Sequence, residues 1–382
     1  MKKFVKVMCM ALVLVMAMGC FAACGGSNAG EYVIGVSGPL TGPAAVYGQA
    51  VKNSAQMAVD EINAAGGVNG VMLKLVVKDD KHDPANIAAN YAALVEEGMN
   101  ISLGTVTTAP GLEFTALAKE DNLFFLTPSA SGDAIPGSHG YQMCFADGNQ
   151  GKVAAEYVNA NYAGKTIGIF YKSDDPYSMG IYEKFVANLS GVDTVVTSFT
   201  AANESSFTTQ IDTLKDCEFV FMPIYAAPAA LFMTQAKNVM NADAVYYGCD
   251  GFDGIESIEG FDINAVPQEV SMLSHFNSKA TEGAAKTYVD KYVEKYGKDT
   301  LNQFGASAYD CVYAIKAALE AAGDSVNPNM DASEICDVLK AQFNGGFTFA
   351  NGATGASIKW NADGSVNKQA VKFVVKVADS AK

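Results

Sequence analysis

The 382-residue sequence contains no arginine; all 26 of its basic side chains are lysine. The planar guanidinium fork that usually clamps a carboxylate or phosphate is therefore missing. An anionic ligand group must be met instead by hydroxyls, backbone N–H groups and helix N-termini. Histidine is scarce, and His82, His139 and His275 stand in unrelated contexts. No His-Glu-x-x-His, Gly-x-Ser-x-Gly or Gly-x-x-x-x-Gly-Lys motif is present, which argues against an enzyme and against a resident cofactor. Past Cys24 the cysteines are Cys144, Cys217, Cys249, Cys311 and Cys336, with no Cys-x-x-Cys spacing. Five is odd, so at least one is free, and their apolar surroundings read as buried thiols, not a zinc site.

Long apolar runs are also absent, with one exception at the start. Lys2, Lys3 and Lys6 surround the beginning of an apolar run from Val7 to Met18, followed by Gly19-Cys20-Phe21-Ala22-Ala23-Cys24. This is the layout of a secretory signal peptide, too short to span a bilayer. A cysteine directly after small residues suggests the lipoprotein variant. Cys24 is then the acylated residue, with Cys20 as the alternative and an ordinary cleaved signal as the plainer reading. On this reading residues 1–23 are the leader, and residues 24–30 form a flexible Gly/Ser tether to the membrane. Without the three leader lysines, 41 acidic residues face 23 basic ones, a net charge near −18. So acidic a surface argues against nucleic acid and anionic lipid as partners.

The remaining 350 or so residues are too many for one core and fit two domains. Short β-rich runs alternate with helical patterns. The strand candidates are Tyr32–Ser37, Met72–Lys78, Ile101–Gly104, Leu123–Leu126, Thr166–Tyr171, Phe219–Pro223, Val245–Gly248 and Val270–His275. Between the first two, Val51, Ala55, Ala58 and Ile62 recur at the spacing of one buried helix face, which Gly66-Gly67 ends. Helices are expected over Lys279–Tyr296 and Gln303–Ala322. The alternation predicts an α/β fold with parallel sheets covered by helices on both faces.

In such folds ligands sit beyond the carboxyl ends of the strands. Those ends carry Thr105-Val106-Thr107-Thr108, Thr127-Pro128-Ser129-Ala130-Ser131, Asp174-Asp175-Pro176-Tyr177, Ile224-Tyr225 and Cys249-Asp250. Hydroxyls and helix N-termini suit a carboxylate, and an acid beside tyrosines suits an ammonium. Together they describe a site for a zwitterion. Each residue also has a plainer role. Thr107 or Thr108 before Ala109-Pro110 can simply cap the next helix, Ser129 and Ser131 are ordinary loop residues, Tyr225 can be core, and Asp250 can be a turn residue. Asp79, Asp80, His82 and Asp83 superficially resemble a metal cluster but read as a solvated loop in which Asp83 starts a helix.

The order of several stretches resembles the type I periplasmic-binding-protein family, in particular the branched-chain amino-acid (Leu/Ile/Val) branch serving ABC transporters. The stretches are Ile34-Gly35-Val36-Ser37-Gly38-Pro39-Leu40-Thr41-Gly42, Tyr47-Gly48, Ala58 to Gly70, Asp79 to Pro84, and Leu126 to Ser131. The resemblance implies two Rossmann-like lobes joined by three crossovers, with a ligand cleft between them. The crossovers would fall near Phe145–Gln150, His275–Ser278 and Gly352–Ser357. The N-terminal lobe would comprise 31–147 and 277–353, and the C-terminal lobe 148–276 and 354–382.

By the same resemblance, Thr108, Ser129 and Ser131 would hold the ligand carboxylate and part of the ammonium. Tyr47, Tyr177 and Tyr225 would line and close the cleft, and Asp250 would pair with the ammonium. Val106, Thr107, Ala130 and Phe304 would shape the side-chain pocket. The protein would act as a monomer, passing an amino acid to a permease whose separate ATPase subunit uses ATP. The branch also implies other cargoes, such as urea, short amides or aromatic acids, and a sensor role with the same clamp.

Overall fold

The structure, a computed structural model, describes residues 30–379. The leader, Cys20, Cys24 and nearly all of the tether lie outside the described residues. The chain builds two open sheets. The first runs β2-β1-β3-β4-β5 and is parallel throughout. Its strands are β1 Tyr32–Gly38, β2 Leu73–Asp79, β3 Ile101–Thr105, β4 Phe125–Thr127 and β5 Gly140–Gln142. The second runs β13-β10-β9-β8-β6-β7. It holds β6 Thr166–Lys172, β7 Asp193–Phe199, β8 Phe219–Met222, β9 Val245–Gly248 and β10 Glu269–Ser274, with the antiparallel β13 Val371–Lys376 at one edge. A separate hairpin pairs β11 Thr348–Gly352 with β12 Gly355–Lys359.

Ten α-helices among the described residues cover these sheets. They are α1 Ala45–Ala64, α2 Ile87–Glu96, α3 Thr108–Glu120, α4 Asp147–Asn161, α5 Pro176–Asn188, α6 Thr208–Leu214, α7 Ala226–Ala236, α8 Gly283–Tyr296, α9 Gln303–Ala322 and α10 Ala332–Asn344. Strand β1 is buried along its whole length, which explains its unbroken apolar reading. On α1, Val51, Ala55, Ala58 and Ile62 are all buried, and the helix packs along α9. After α1 the chain turns through Gly66 and Gly67 at φ +104° and +78°. A Cβ on Gly67 would lie 2.2 Å from the Val71 carbonyl oxygen, so only glycine admits this turn.

The eight strands read from the sequence are present, with ends shifted by up to two residues. Strands β5, β7, β11, β12 and β13 escaped that reading. Strand β5 is only three residues long, and β7 and β13 are edge strands that leave Val196 and Val371 exposed. Neither edge therefore shows a continuous apolar run. Helix α8 begins at Gly283, four residues later than expected, because the preceding residues form a hinge-side turn.

The chain passes from the first lobe to the second between β5 and α4, and returns after β10. The third crossover is not at Gly352–Ser357, as the resemblance implied. That segment is the β11–β12 hairpin, and the chain beyond it still lies on the first lobe. Trp360 Nε1 donates to the Gln142 carbonyl oxygen at 2.7 Å, and Gln142 N donates to the Gly364 carbonyl oxygen at 3.0 Å. Only at Ala370 does the chain join the second lobe's core, just before β13. The crossing therefore falls between residues 364 and 370, so residues 354 to about 365 belong with the first lobe.

All five described cysteines are free and buried. Among the described residues no group of acids, histidines and cysteines could hold a metal ion, and no helix is long and apolar enough to cross a membrane.

Candidate ligand-binding cleft

Strand ends of both lobes converge on one small cavity of about 10 Å³. From the first lobe, α1 brings Tyr47, the end of β3 brings Val106, Thr107 and Thr108, and the end of β4 brings Ser129 and Ser131. Phe304 comes from the first turn of α9, whose start is fixed by Asn302 accepting from the Phe304 and Gly305 N–H groups. From the second lobe come Tyr177 at the start of α5, Tyr225 before α7, and Asp250 with Gly251 after β9. Most of these segments follow the strands flanking the β1/β3 and β6/β8 switch points, or β4 and β9 next to them, where an open parallel sheet leaves a crevice.

The first-lobe wall is uncharged. Thr107 occupies the N-cap position of α3 with extended backbone angles, yet its side chain makes no capping hydrogen bond. Its hydroxyl instead lies 2.9 Å from His82 Nδ1. Pro110 has no N–H, so the first turn of α3 offers the N–H groups of Thr108 and Ala109. The buried Thr108 hydroxyl beside them has no hydrogen-bond partner. A carboxylate is the group this corner can accept without arginine.

The second-lobe wall is acidic. Asp250 is 1% exposed. Its Oδ1 accepts from the Tyr177 hydroxyl at 2.7 Å, its N–H donates to Gln150 Oε1 at 2.9 Å, and its Oδ2 has no partner. Burial raises the Asp250 carboxyl to about 6, although hydrogen bonds from Tyr177 and Gln150 oppose the shift. Asp147 lies behind it in the first crossover, buried, with Oδ2 also unpartnered. Burial, and then the Asp250 charge, push its carboxyl well above the usual range. Two buried acids, each with one oxygen unpartnered among the described residues, make a place that favours a cation.

Aromatic rings complete the enclosure. Tyr225 stacks on Tyr177 with centroids 4.6 Å apart and leans on Tyr47 at 5.7 Å, while Phe304 meets Tyr47 edge-on at 5.3 Å. Tyr47 also joins the lobes. Its hydroxyl donates to the Gly251 carbonyl oxygen at 2.6 Å and accepts from the Ala226 N–H at 2.8 Å. Beside it, the Gln303 N–H donates to Asp253 Oδ2 at 2.8 Å across the same junction.

Of the residues singled out from the sequence, only Ala130 is absent from the cavity wall. Its methyl packs into the first lobe's core with Phe114 and Ile135, and its carbonyl accepts from Gln142 Nε2 at 3.0 Å. The side chain alternates away from those of Ser129 and Ser131. The Asp79–Asp83 loop is not simply solvated. Asp83 does cap the following turn, accepting from the Ala85 N–H at 2.9 Å, but Asp80 is fully buried and the His82 ring meets Tyr225 across the cleft at 5.1 Å. Asp147, Gln150, Gly251 and His82 were missed as site or supporting residues. Asp147 and Gln150 stood in the stretch read as a crossover, which was the available signal.

A wider trough, of about 470 Å³, lies between Phe252–Asn264 and Lys298–Leu301. None of its residues carries an unpartnered buried side-chain polar atom, whereas the smaller cavity has two. The smaller cavity is therefore the better candidate.

A family model described as periplasmic binding protein matches residues 31–377. The leucine-, isoleucine-, valine-, threonine- and alanine-binding protein of Pseudomonas aeruginosa is 29% identical over 319 residues, covering 81% of this chain and 82% of that protein. The branched-chain amino acid transporter substrate-binding protein LivJ of Streptococcus pneumoniae, solved in complex with isoleucine, is 27% identical. It superimposes with a TM-score of 0.79, covering 91% of this chain and 99% of that one. The leucine-binding protein LivK of Thermotoga maritima shares the fold at 22% identity, with a TM-score of 0.76 over 92% of this chain and all of its own.

Proposed function

The chain belongs to the periplasmic-binding-protein family, and from that premise we propose that it is the extracytoplasmic substrate-binding protein of an ABC importer, carrying a small aliphatic α-amino acid. One observation carries this reading. Thr108 Oγ1 and Asp250 Oδ2, from opposite lobes, line one cavity, and both are buried without partners. A carboxylate at Thr108, Ser129, Ser131 and the α3 N-terminus satisfies the first. An ammonium at Asp250, backed by Asp147, satisfies the second. The names of the relatives, which bind leucine, isoleucine, valine, threonine or alanine, agree with that pairing.

The clamp works by differential affinity. Ligand first meets the hydroxyl wall of the open cleft. Closure then brings Tyr177, Tyr225 and Asp250 onto it and excludes water, which strengthens each polar contact. The bound amino acid shifts the population toward the closed form, which the permease reads. This chain forms and breaks no covalent bond, acts as a monomer, and leaves ATP hydrolysis to a separate subunit. Acylation at Cys24 would hold it at the outer face of the cell membrane; a Cys24→Ala variant released into the medium, beside a retained wild type, tests that anchor.

The function itself is tested by unfolding and refolding the protein to strip carried ligand, then measuring thermal shifts with the amino acids, urea, short amides and aromatic acids. At a thousand times its dissociation constant a ligand adds about 4 kcal/mol of stability. A shift confined to aliphatic amino acids is expected. A shift only with ligands lacking an ammonium would overturn the assignment.

A further inference from the structure

His82 lies outside the cavity wall, yet the backbone is bent unusually to place it. Lys81 and His82 are successive non-glycine residues in the left-handed region, at φ +57° and +63°, a conformation L-residues avoid. Acids hold them there. The Lys81 N–H donates to Asp79 Oδ1 at 3.0 Å, and the His82 N–H donates to Asp80 Oδ1 at 2.9 Å. Asp80 is itself buried and accepts from the Ser37 hydroxyl at 3.1 Å. The turn delivers the imidazole to two cavity residues at once: Nδ1 to the Thr107 hydroxyl, and the ring edge-on to Tyr225 of the other lobe. Burial, with Lys172 nearby, lowers the imidazole to about 4 and leaves it neutral at neutral pH.

The engagement of Thr107 has a consequence. A threonine at the N-cap with φ −119° and ψ 154° has the backbone that lets its hydroxyl accept from the N–H two residues on. Here that N–H belongs to Ala109, one of only two that the first turn of α3 can offer a ligand. We propose that His82 is a positioning residue that keeps the α3 N-terminus open for the ligand carboxylate by drawing the Thr107 hydroxyl away from the cap. Without the imidazole, Thr107 turns onto Ala109 and competes with the ligand for it. The inference deepens the proposed function, resting on its carboxylate position.

Two measurements test it. In a double-mutant cycle titrated with isoleucine, His82→Ala weakens binding about fivefold, the weight of one helix cap. In a Thr107→Val background, where no cap can form, the same substitution costs little. His82→Asn, which can still hold the hydroxyl, binds like wild type. Equal losses in both backgrounds would reduce His82 to a structural role and overturn the proposal.

The second measurement needs no ligand. Amide hydrogen exchange at Ala109 in the stripped protein slows in His82→Ala and is fast again in the His82→Ala/Thr107→Val variant. Unchanged exchange in His82→Ala also overturns the proposal, whatever the ligand. If isoleucine fails to bind wild type while the exchange pattern holds, the proposed cargo is wrong and the role of His82 stands.

Discussion

The two walls of the cleft solve opposite problems. The first-lobe wall binds through neutral donors: hydroxyls at the ends of β3 and β4, and the uncapped start of α3. The second-lobe wall gathers buried acids against stacked tyrosines. Neutral donors cost less to bury than charges and can be poised before ligand arrives, whereas buried carboxylates remain costly until a cation joins them. The difference teaches a division of labour. On the proposed function, the neutral wall would be ready for capture, and the acidic wall would gain most from ligand and so drive closure.

The sharpest way to break this comparison is Asp250→Ala. Removing the charge that faces the ammonium should cost about 3 kcal/mol, roughly a hundredfold in dissociation constant. Calorimetry checks it, and wild-type affinity would show that the ammonium lies elsewhere. Next in size is Tyr47→Phe, which strips the hydroxyl shared by the Gly251 carbonyl oxygen and the Ala226 N–H. The closed form alone should suffer, so stopped-flow measurement should show dissociation faster by about tenfold with association nearly unchanged.

A third prediction separates the walls by pH. The Asp250 carboxyl moves from 3.8 to about 6. A carboxyl whose folded value lies above its unfolded one takes up a proton on folding in the window between the two. Its contribution to unliganded stability is thus present below about pH 4 and lost as the pH rises through about 6. Ligand binding needs the ionised form, so affinity should fall by roughly tenfold one unit below that value. The melting temperature of the empty protein should therefore decline over the window in which the ligand-induced shift grows. Thermal melts at pH 5 and 7.5, with and without isoleucine, check both trends. The smallest effect belongs to the neutral wall: Thr108→Val should cost about 1 kcal/mol, roughly fivefold, and should show no such pH dependence.

Much of this is legible in the sequence. The hydroxyl-rich strand ends, the tyrosines and Asp250 stood out because parallel α/β architecture fixes where strands end, and function collects there. Ala130 misled because neighbouring residues in a loop point different ways, which composition does not record. Asp147 was hidden because its importance comes from Asp250, more than a hundred residues away in the chain. The third crossover was misplaced because Trp360 and Gly364 reach back to Gln142, a pairing that no local pattern announces.

The sequence by itself determined the fold class, the two-lobe plan, the absence of any arginine clamp and most of the residues at the cleft. The fold class, the need for two domains and the strand-end residues follow from composition, length and periodicity; the lobe plan, Tyr47 and Phe304 came from the family resemblance. Only the tertiary structure decided which polar atoms remain unpartnered, which acids are held above their usual range, and that Thr107 turns to His82 and not to its own helix. Those properties arise from burial and from contacts between distant segments. Periodicity carries no information about either until the chain has folded.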